Sequence, residues 1–237
     1  MSTSTDQNSY AALGAHVDDL VTIGKLEGGV KSVQKALEKE FKITKKVNPD
    51  VVLGVQIQRN RETKWLKIHQ ADYIKTLLTD YNMLDCKPAS TPMDPGTARA
   101  LMLLPCDGPV DEEVVLKYQG LVGKYLWIMK TRAVDMGYTV NLLSRFVRCA
   151  TPAHLKIAMG RPLRYLKGTI DHGLVYQPGN DWKLVSGASD ADFAGDVATS
   201  RSTSGYFTKF GKCGVTVCSS KLERKISTST GQAETYA

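Results

Sequence analysis

The sequence predicts an α+β fold, and three observations carry that prediction. Residues 14–69 show short β-rich runs around a single helical stripe. Residues 113–168 carry apolar side chains at helical spacing. From Gly173 onward short β-branched and aromatic runs return, separated by Gly and polar turns.

In order, residues 14–24 read as two short strands around Val17-Asp18-Asp19-Leu20. Adjacent acids between β-branched residues suit a tight turn better than a strand interior. A helix follows, with Val30, Val33, Leu37 and Phe41 on one face. Residues 51–58 read as a strand, Asn60-Arg61-Glu62-Thr63 as a polar turn, and residues 65–69 as the returning strand. Tyr73, Ile74, Leu77, Leu78 and Tyr81 form a helical stripe that reads as core. Residues 86–112 carry Pro88, Pro92, Pro95, Pro105 and Pro109 with Gly96 and Gly108, and read as a linker or an irregular crossing segment.

Tyr118, Leu121, Val122, Tyr125, Leu126 and Met129 then mark one helix, and residues 136–148 a second. A third begins with Thr151 as N-cap and Pro152 at the first helical position; Pro162 kinks or ends it. Residues 174–176, 184–189, 205–210 and 214–219 are strand candidates. Ser227-Thr228-Ser229-Thr230 before Gln232-Ala233-Glu234 reads as a capped helix start. The domain boundaries expected are 1–85, a Pro-rich linker 86–112, a helical segment 113–172, and a β-rich segment 173–237.

The apolar share, 42%, is ordinary for a chain that buries a core. Net charge is +7. Between residues 113 and 172 ten Lys or Arg face three acids, so the whole excess sits in the helical block. Such a block fits a polyphosphate partner, though helix faces are also solvated by Lys and Arg. The five cysteines are scattered, without metal-binding spacing, and imply free thiols in a reducing, intracellular compartment, cytoplasmic or nuclear. Residues 1–8 are polar, with no apolar signal core. No apolar run approaches the roughly 20 residues of a membrane span.

Two acid clusters carry the chemistry: Asp18-Asp19, and Ser189-Asp190-Ala191-Asp192-Phe193-Ala194-Gly195-Asp196. Carboxylates on a turn suit a divalent cation, which prefers hard oxygen ligands. Two such ions can clamp the attacking and leaving oxygens of a phosphoryl transfer. A lone Asp-Asp pair is more commonly a solvated turn, so the wider sequence decides.

His16-Val17-Asp18-Asp19 resembles the (Tyr/Phe)-x-Asp-Asp signature of reverse transcriptases. Gly54-Val55-Gln56-Ile57, Gln70-Ala71-Asp72-Tyr73-Ile74, Ser90-Thr91-Pro92-Met93, Tyr118-Gln119-Gly120-Leu121-Val122-Gly123, Leu143-Ser144-Arg145-Phe146, Leu163-Arg164-Tyr165-Leu166-Lys167-Gly168-Thr169, Ser189-Asp190-Ala191-Asp192 and Arg201-Ser202-Thr203-Ser204-Gly205-Tyr206 follow. In that order these segments resemble the copia-type retrotransposon polyprotein, across nearly the whole chain.

The resemblance implies a partial polymerase palm, a helical thumb or connection segment, and an incomplete RNase H-like sheet. It implies an RNA or DNA template-primer or hybrid as partner, magnesium as cofactor, and no membrane. Asp18 and Asp19 match the paired palm acids; Asp190 and Glu234 match two nuclease acids; these four are the implied catalytic residues and metal ligands. Gly54, Trp65 and Lys67 fall in the primer-grip hairpin. Lys117, Lys124, Lys130, Arg132, Arg145, Arg148, Arg161, Arg164 and Lys167 are the helical cations placed to meet phosphates. Asp192 and Asp196 are expected as solvated turn residues. The family's third palm acid lies upstream of this chain's start and its remaining nuclease acids lie beyond Ala237. The expectation is therefore a polymerase fragment inactive alone, with weak magnesium binding, marginal folding and open strand edges able to pair with a fuller polyprotein copy. The alternatives are a residual sequence-independent nucleic-acid-binding protein or an inert pseudogene product. His16 in place of the usual aromatic, Ala133-Val134 where Thr-Arg-Pro-Asp is usual, Pro162 inside a helix, and Gly231-Gln232 before Glu234 depart from the family and favour decay.

Overall fold

The structure is a computed structural model that describes residues 10–25, 27–177, 185–211 and 213–237. The polar start at residues 1–8 and the expected strand start at Leu184 lie outside the described residues. The chain divides into two compact units, Met1–Leu53 and Gly54–Ala237.

In the first unit β1 (Ala11–His16) and β2 (Asp19–Gly24) form an antiparallel hairpin, paired from Ala11↔Gly24 to His16↔Asp19. Val17 and Asp18 make the two-residue connection. Helix α1 (Glu27–Glu40) half-buries Val30, Val33 and Leu37, and a two-residue strand β3 (Val51–Val52) follows. Phe41, expected on the helix face, falls past the helix end and is 62% exposed. No described residue of this unit is fully buried. A two-stranded hairpin covered by one helix that only half-buries its apolar side chains has little core to stabilise it.

The second unit opens with β4 (Val55–Asn60) and β5 (Trp65–His69), an antiparallel hairpin in register from Gln56↔His69 to Asn60↔Trp65. The residues between them turn as their polarity predicts. Strand β6 (Gly173–Tyr176) joins the other edge of β5, with Leu66 opposite Tyr176 and His69 opposite Gly173. This strand, expected to open the late β region, is instead part of the β4–β5 sheet.

Helix α2 (Ala71–Asp80) buries Ala71, Ile74, Leu77 and Leu78, as its stripe predicts. The Pro-rich segment is not irregular throughout. Helix α3 (Pro95–Met102) runs inside it, buries Ala98 and Leu101, and is capped by Asp94, whose Oδ1 accepts the Thr97 N–H at 3.0 Å. Pro95 at the first helical position breaks no hydrogen bond, because that N–H has no helical partner.

Helix α4 (Glu112–Ser144) is two helices joined across a kink at Arg132 (φ −128°, ψ 24°). Its two halves fold back on each other there. Tyr118 Oη donates to the Leu143 carbonyl at 2.8 Å, and Gln119 Nε2 to the Val147 carbonyl at 2.8 Å. A straight helix would separate residues 118 and 143 by about 37 Å at 1.5 Å per residue. The two helices expected from periodicity are these two halves.

The reversal is held by a polar cluster. The Arg132 side chain, 2% exposed, pairs with the Asp135 carboxylate and donates to the Thr169 carbonyl and Oγ1, each at 2.8 Å. Tyr165 Oη donates to the same Asp135 oxygen, and Thr131 Oγ1 to Gln70 Oε1, both at 2.8 Å. Around Ala133-Val134, a supposed mark of decay, Thr131, Arg132 and Asp135 are thus all engaged.

Helices α5 (Pro152–Met159) and α6 (Arg161–Gly168) follow. Thr151 is the N-cap of α5, its N–H donating to His154 Nδ1 at 3.2 Å. Pro162 lies in the first turn of α6 rather than inside a helix, so it costs no bond. Tyr118, Leu121, Tyr125, Ile128, Met136, Leu143, Leu163 and Leu166 join Ile74, Leu77 and Leu101 in one hydrophobic core among α2–α6.

Strands β7 (Val185–Asp192), β8 (Thr203–Phe210) and β9 (Val215–Leu222) form an antiparallel meander in which Asp190, Gly205 and Ser220 lie in one cross-strand row. Helix α7 (Thr230–Tyr236) follows, with Ser229 as N-cap. Gln232 Oε1 accepts the Thr228 N–H at 2.7 Å, so this departure from the family completes a cap.

Two sequence expectations about side chains are overturned. Cys106 and Cys149, expected as free thiols, form a disulfide, while Cys86, Cys213 and Cys218 are free. The α4 reversal causes this: residue 106 precedes the first half, residue 149 follows the second, and their Cα atoms stand 5.0 Å apart. Asp196, expected in solvent, is 5% exposed and ion-paired. Among the described residues no helix is long and apolar enough to cross a membrane.

Candidate functional site

Asp18 and Asp19 sit at the tip of the β1–β2 hairpin, Asp18 in the turn and Asp19 opening β2 opposite His16. Both side chains are exposed. The turn demands a left-handed residue, and Val17 supplies it at φ 54°, 92% exposed. A β-branched residue there is strained, at a cost of order 1–3 kcal/mol. The strain sits where the sequence places its paired acids.

Gly54 adopts φ 73°, and a Cβ there would stand 3.0 Å from Trp127 Cζ2. Its glycine is explained by a left-handed turn under an indole. Trp65 and Lys67 lie half-buried on β5.

The helical cations divide by partner. Lys117 pairs with Glu113 at 2.6 Å and Lys124 with Asp80 at 2.8 Å. Arg145 pairs with Asp196 at 3.0 Å. Arg161 reaches Asp94 at 3.4 Å and donates from Nη2 to Thr91 Oγ1 at 2.8 Å. Arg164 Nε donates to the Lys87 carbonyl at 2.7 Å, and Arg132 is buried. Of the predicted set Lys130, Arg148 and Lys167 have no ion-pair partner among the described residues, and Lys130 and Arg148 are exposed. Exposed pairs such as Lys117–Glu113 are worth only about 0–1 kcal/mol, so they can open to a phosphate. The Arg145–Asp196 pair is less available, because its Asp is buried.

Asp190 is exposed on the β7 face turned toward α4. With Asp192 it lines a cavity of about 380 Å³, shared with Ala133, Val134 and Tyr138 of α4 and Tyr206 of β8. Burial, with the Asp192 and Asp196 carboxylates nearby, holds the Tyr138 phenol above its usual range. Glu234 is exposed on α7. Among the described residues no three His, Cys, Asp or Glu side chains group as metal ligands. Two adjacent carboxylates at 18–19 and the pair at 190 and 192 offer oxygen donors of the right kind, but they do not fit a two-ion centre.

Three features escaped the sequence. The Asp94-Pro95 start of α3 carried a legible capping signal. The disulfide and the Arg132 cluster carried none, since their partners are distant in sequence.

A family model described as reverse transcriptase (RNA-dependent DNA polymerase) matches residues 3–95. The chain is 30% identical over 234 residues to the Retrovirus-related Pol polyprotein from transposon TNT 1-94 of Nicotiana tabacum, covering 98% of this chain and 17% of the polyprotein. It is 34% identical over 219 residues to the Pol polyprotein from transposon RE2 of Arabidopsis thaliana, covering 92% and 14%. An uncharacterized mitochondrial protein of Arabidopsis thaliana is 30% identical over 92% of this chain and 86% of its own length. The chain thus spans about one sixth of the polyproteins it matches. No solved structure matches.

Proposed function

Because this chain belongs to the reverse transcriptase-like retrotransposon polyprotein family, we propose that it is the nucleic-acid-holding part of an RNA-directed DNA polymerase, and that alone it binds template-primer without extending it. The observation that supports this best is the exposed Asp18-Asp19 pair on a strained hairpin tip, within the segment that matches the polymerase family. In this reading β1–β2 is the acidic hairpin of the palm, β4–β5 the primer grip, α4–α6 the thumb or connection, and β7–β9 with α7 the start of a nuclease domain.

Positioning and electrostatics dominate phosphoryl transfer. Asp18 and Asp19 supply two oxygen donors and the described residues add no third beside them. Magnesium therefore binds weakly here. A fuller polyprotein copy pairing along the open edges of β1–β2 would bring further carboxylates to this pair. Lys130, Arg148 and Lys167 meet backbone phosphates, which position a duplex without reading its sequence.

A primer-extension assay with a mobility-shift control tests this. The expected result is a shifted complex with RNA, DNA and hybrid duplexes, and no extension with magnesium or manganese. Extension that disappears in Asp18→Asn, or no shifted complex at low salt, would refute it.

A further inference from the structure

We propose that Cys106 and Cys149 form a reversible thiol–disulfide clamp that closes the open end of the folded-back α4 pair. The two ends of that pair are held by different chemistry. At the closed end the reversal is fixed by the buried Arg132–Asp135–Tyr165–Thr169 cluster. At the open end Cys106, before the first half, is bonded to Cys149, after the second.

Little else ties the α3–α4 connection down. Leu104 packs against the core, and the backbone bonds are local to the helix ends, from Leu103 and Leu104 to Arg99 and Leu101 and from Val115 to Asp111. Residues 105–110 are all exposed, Cys106 included. The disulfide is the tether across that gap. An exposed sulfur is also open to attack by a thiolate, the step by which disulfides exchange.

The balance is simple. Two Cys thiols give two electrons and two protons to a low-molecular-weight disulfide, which leaves as two thiols; an excess of a dithiol runs the exchange backward. The core of α2–α6 extends to Leu104 on one side of the bond and to Phe146, Val147 and Ala150 on the other, so apolar packing remains to hold the fold when the bond is reduced. What the reduced chain loses is the link from residues 105–110 to residue 149, beside Arg148, while Val147 and Arg145 keep their bonds to Gln119 and Asp196.

The test uses the full chain with oxidised glutathione or with excess dithiothreitol. Denatured and titrated, the oxidised chain should show three free thiols, Cys86, Cys213 and Cys218, and the reduced chain five. Oxidation should raise Tm by roughly 5–15 °C, the range expected for closing a long loop in a unit of this size. Amide exchange at 103–111 should slow at least tenfold, while exchange in α2 is unchanged. In the Cys106→Ser variant both responses should vanish, with its exchange matching the reduced wild type. Five free thiols after glutathione oxidation, or equal exchange at 103–111 in both states, would overturn the proposal.

Discussion

Two buried histidines make a residue-scale test of the core. His154 is fully buried between Phe146, at a 4.8 Å ring separation, and Tyr118 at 6.4 Å. His69 is 4% exposed. Their Nε2 atoms have no hydrogen-bond partner. Burial lowers the pKa of both below 6.5; at His69 the nearby Lys67 lowers it further. A lowered His is neutral when folded, while the unfolded chain takes up a proton near pH 6.5. Stability is therefore full above that value. It falls as pH drops from 6.5 toward the folded pKa values, below which no further loss occurs. The slope is at most about 1.4 kcal/mol per pH unit per histidine. Urea unfolding at pH 7.5 and 5.5 should show the loss, and His69→Gln with His154→Gln should flatten it. Stability that rises on acidification would contradict this assignment.

At the scale of elements the decisive feature is the α4 reversal. Arg132→Ala leaves the partly buried Asp135 carboxylate without its cation and Thr169 without a donor. The expected loss is about 2–4 kcal/mol in urea unfolding, below the full figure for a buried pair because Asp135 is 27% exposed. Arg132→Lys should recover less than half, since one ammonium cannot span Asp135 and Thr169 together. A loss under about 0.5 kcal/mol for Arg132→Ala would mean that packing alone sets the reversal. The two halves of α4 were legible because Tyr118, Leu121, Val122 and Tyr125 repeat at helical spacing. Their reversal was not, because Thr131 to Asp135 contains neither Gly nor Pro. Helix α3 was hidden by the prolines around it, although Pro95 starts it rather than breaks it. The hairpin that carries Asp18 and Asp19 was legible from its turn. The pairing of Lys124 with Asp80 and Arg145 with Asp196 was not, since each spans 44 or 51 residues.

The whole molecule joins a unit with a hydrophobic core to one whose described residues are exposed or half-buried. Among the described residues 10–53 none is fully buried, while α2–α6 share one cluster. Marginal folding is expected of both the palm-like part and the β7–β9 sheet; the burial pattern makes the first unit the place to test it first. Amide exchange should show strong protection in α2 and the first half of α4, and protection in β1–β2 weaker by at least a hundredfold. Equal protection would show that the first unit has a core the burial pattern does not reveal.

The central claim, sequence-independent binding through the helical cations, rests on charge. Lys130, Arg148 and Lys167 are three contacts, each releasing about 0.7–0.9 counterions, so the log-log salt slope should lie near −2 to −3. Opening of the exposed Lys117 and Lys124 pairs would steepen it further. The most direct measurement is filter binding of two unrelated duplexes across a salt series, for the natural chain and for Lys130→Glu with Arg148→Glu and Lys167→Glu. The account predicts equal affinities for the two duplexes, a slope in that range, and a shallower slope with at least tenfold weaker binding in the triple variant. A flat salt response, or a triple variant that binds as well as the natural chain, would contradict it.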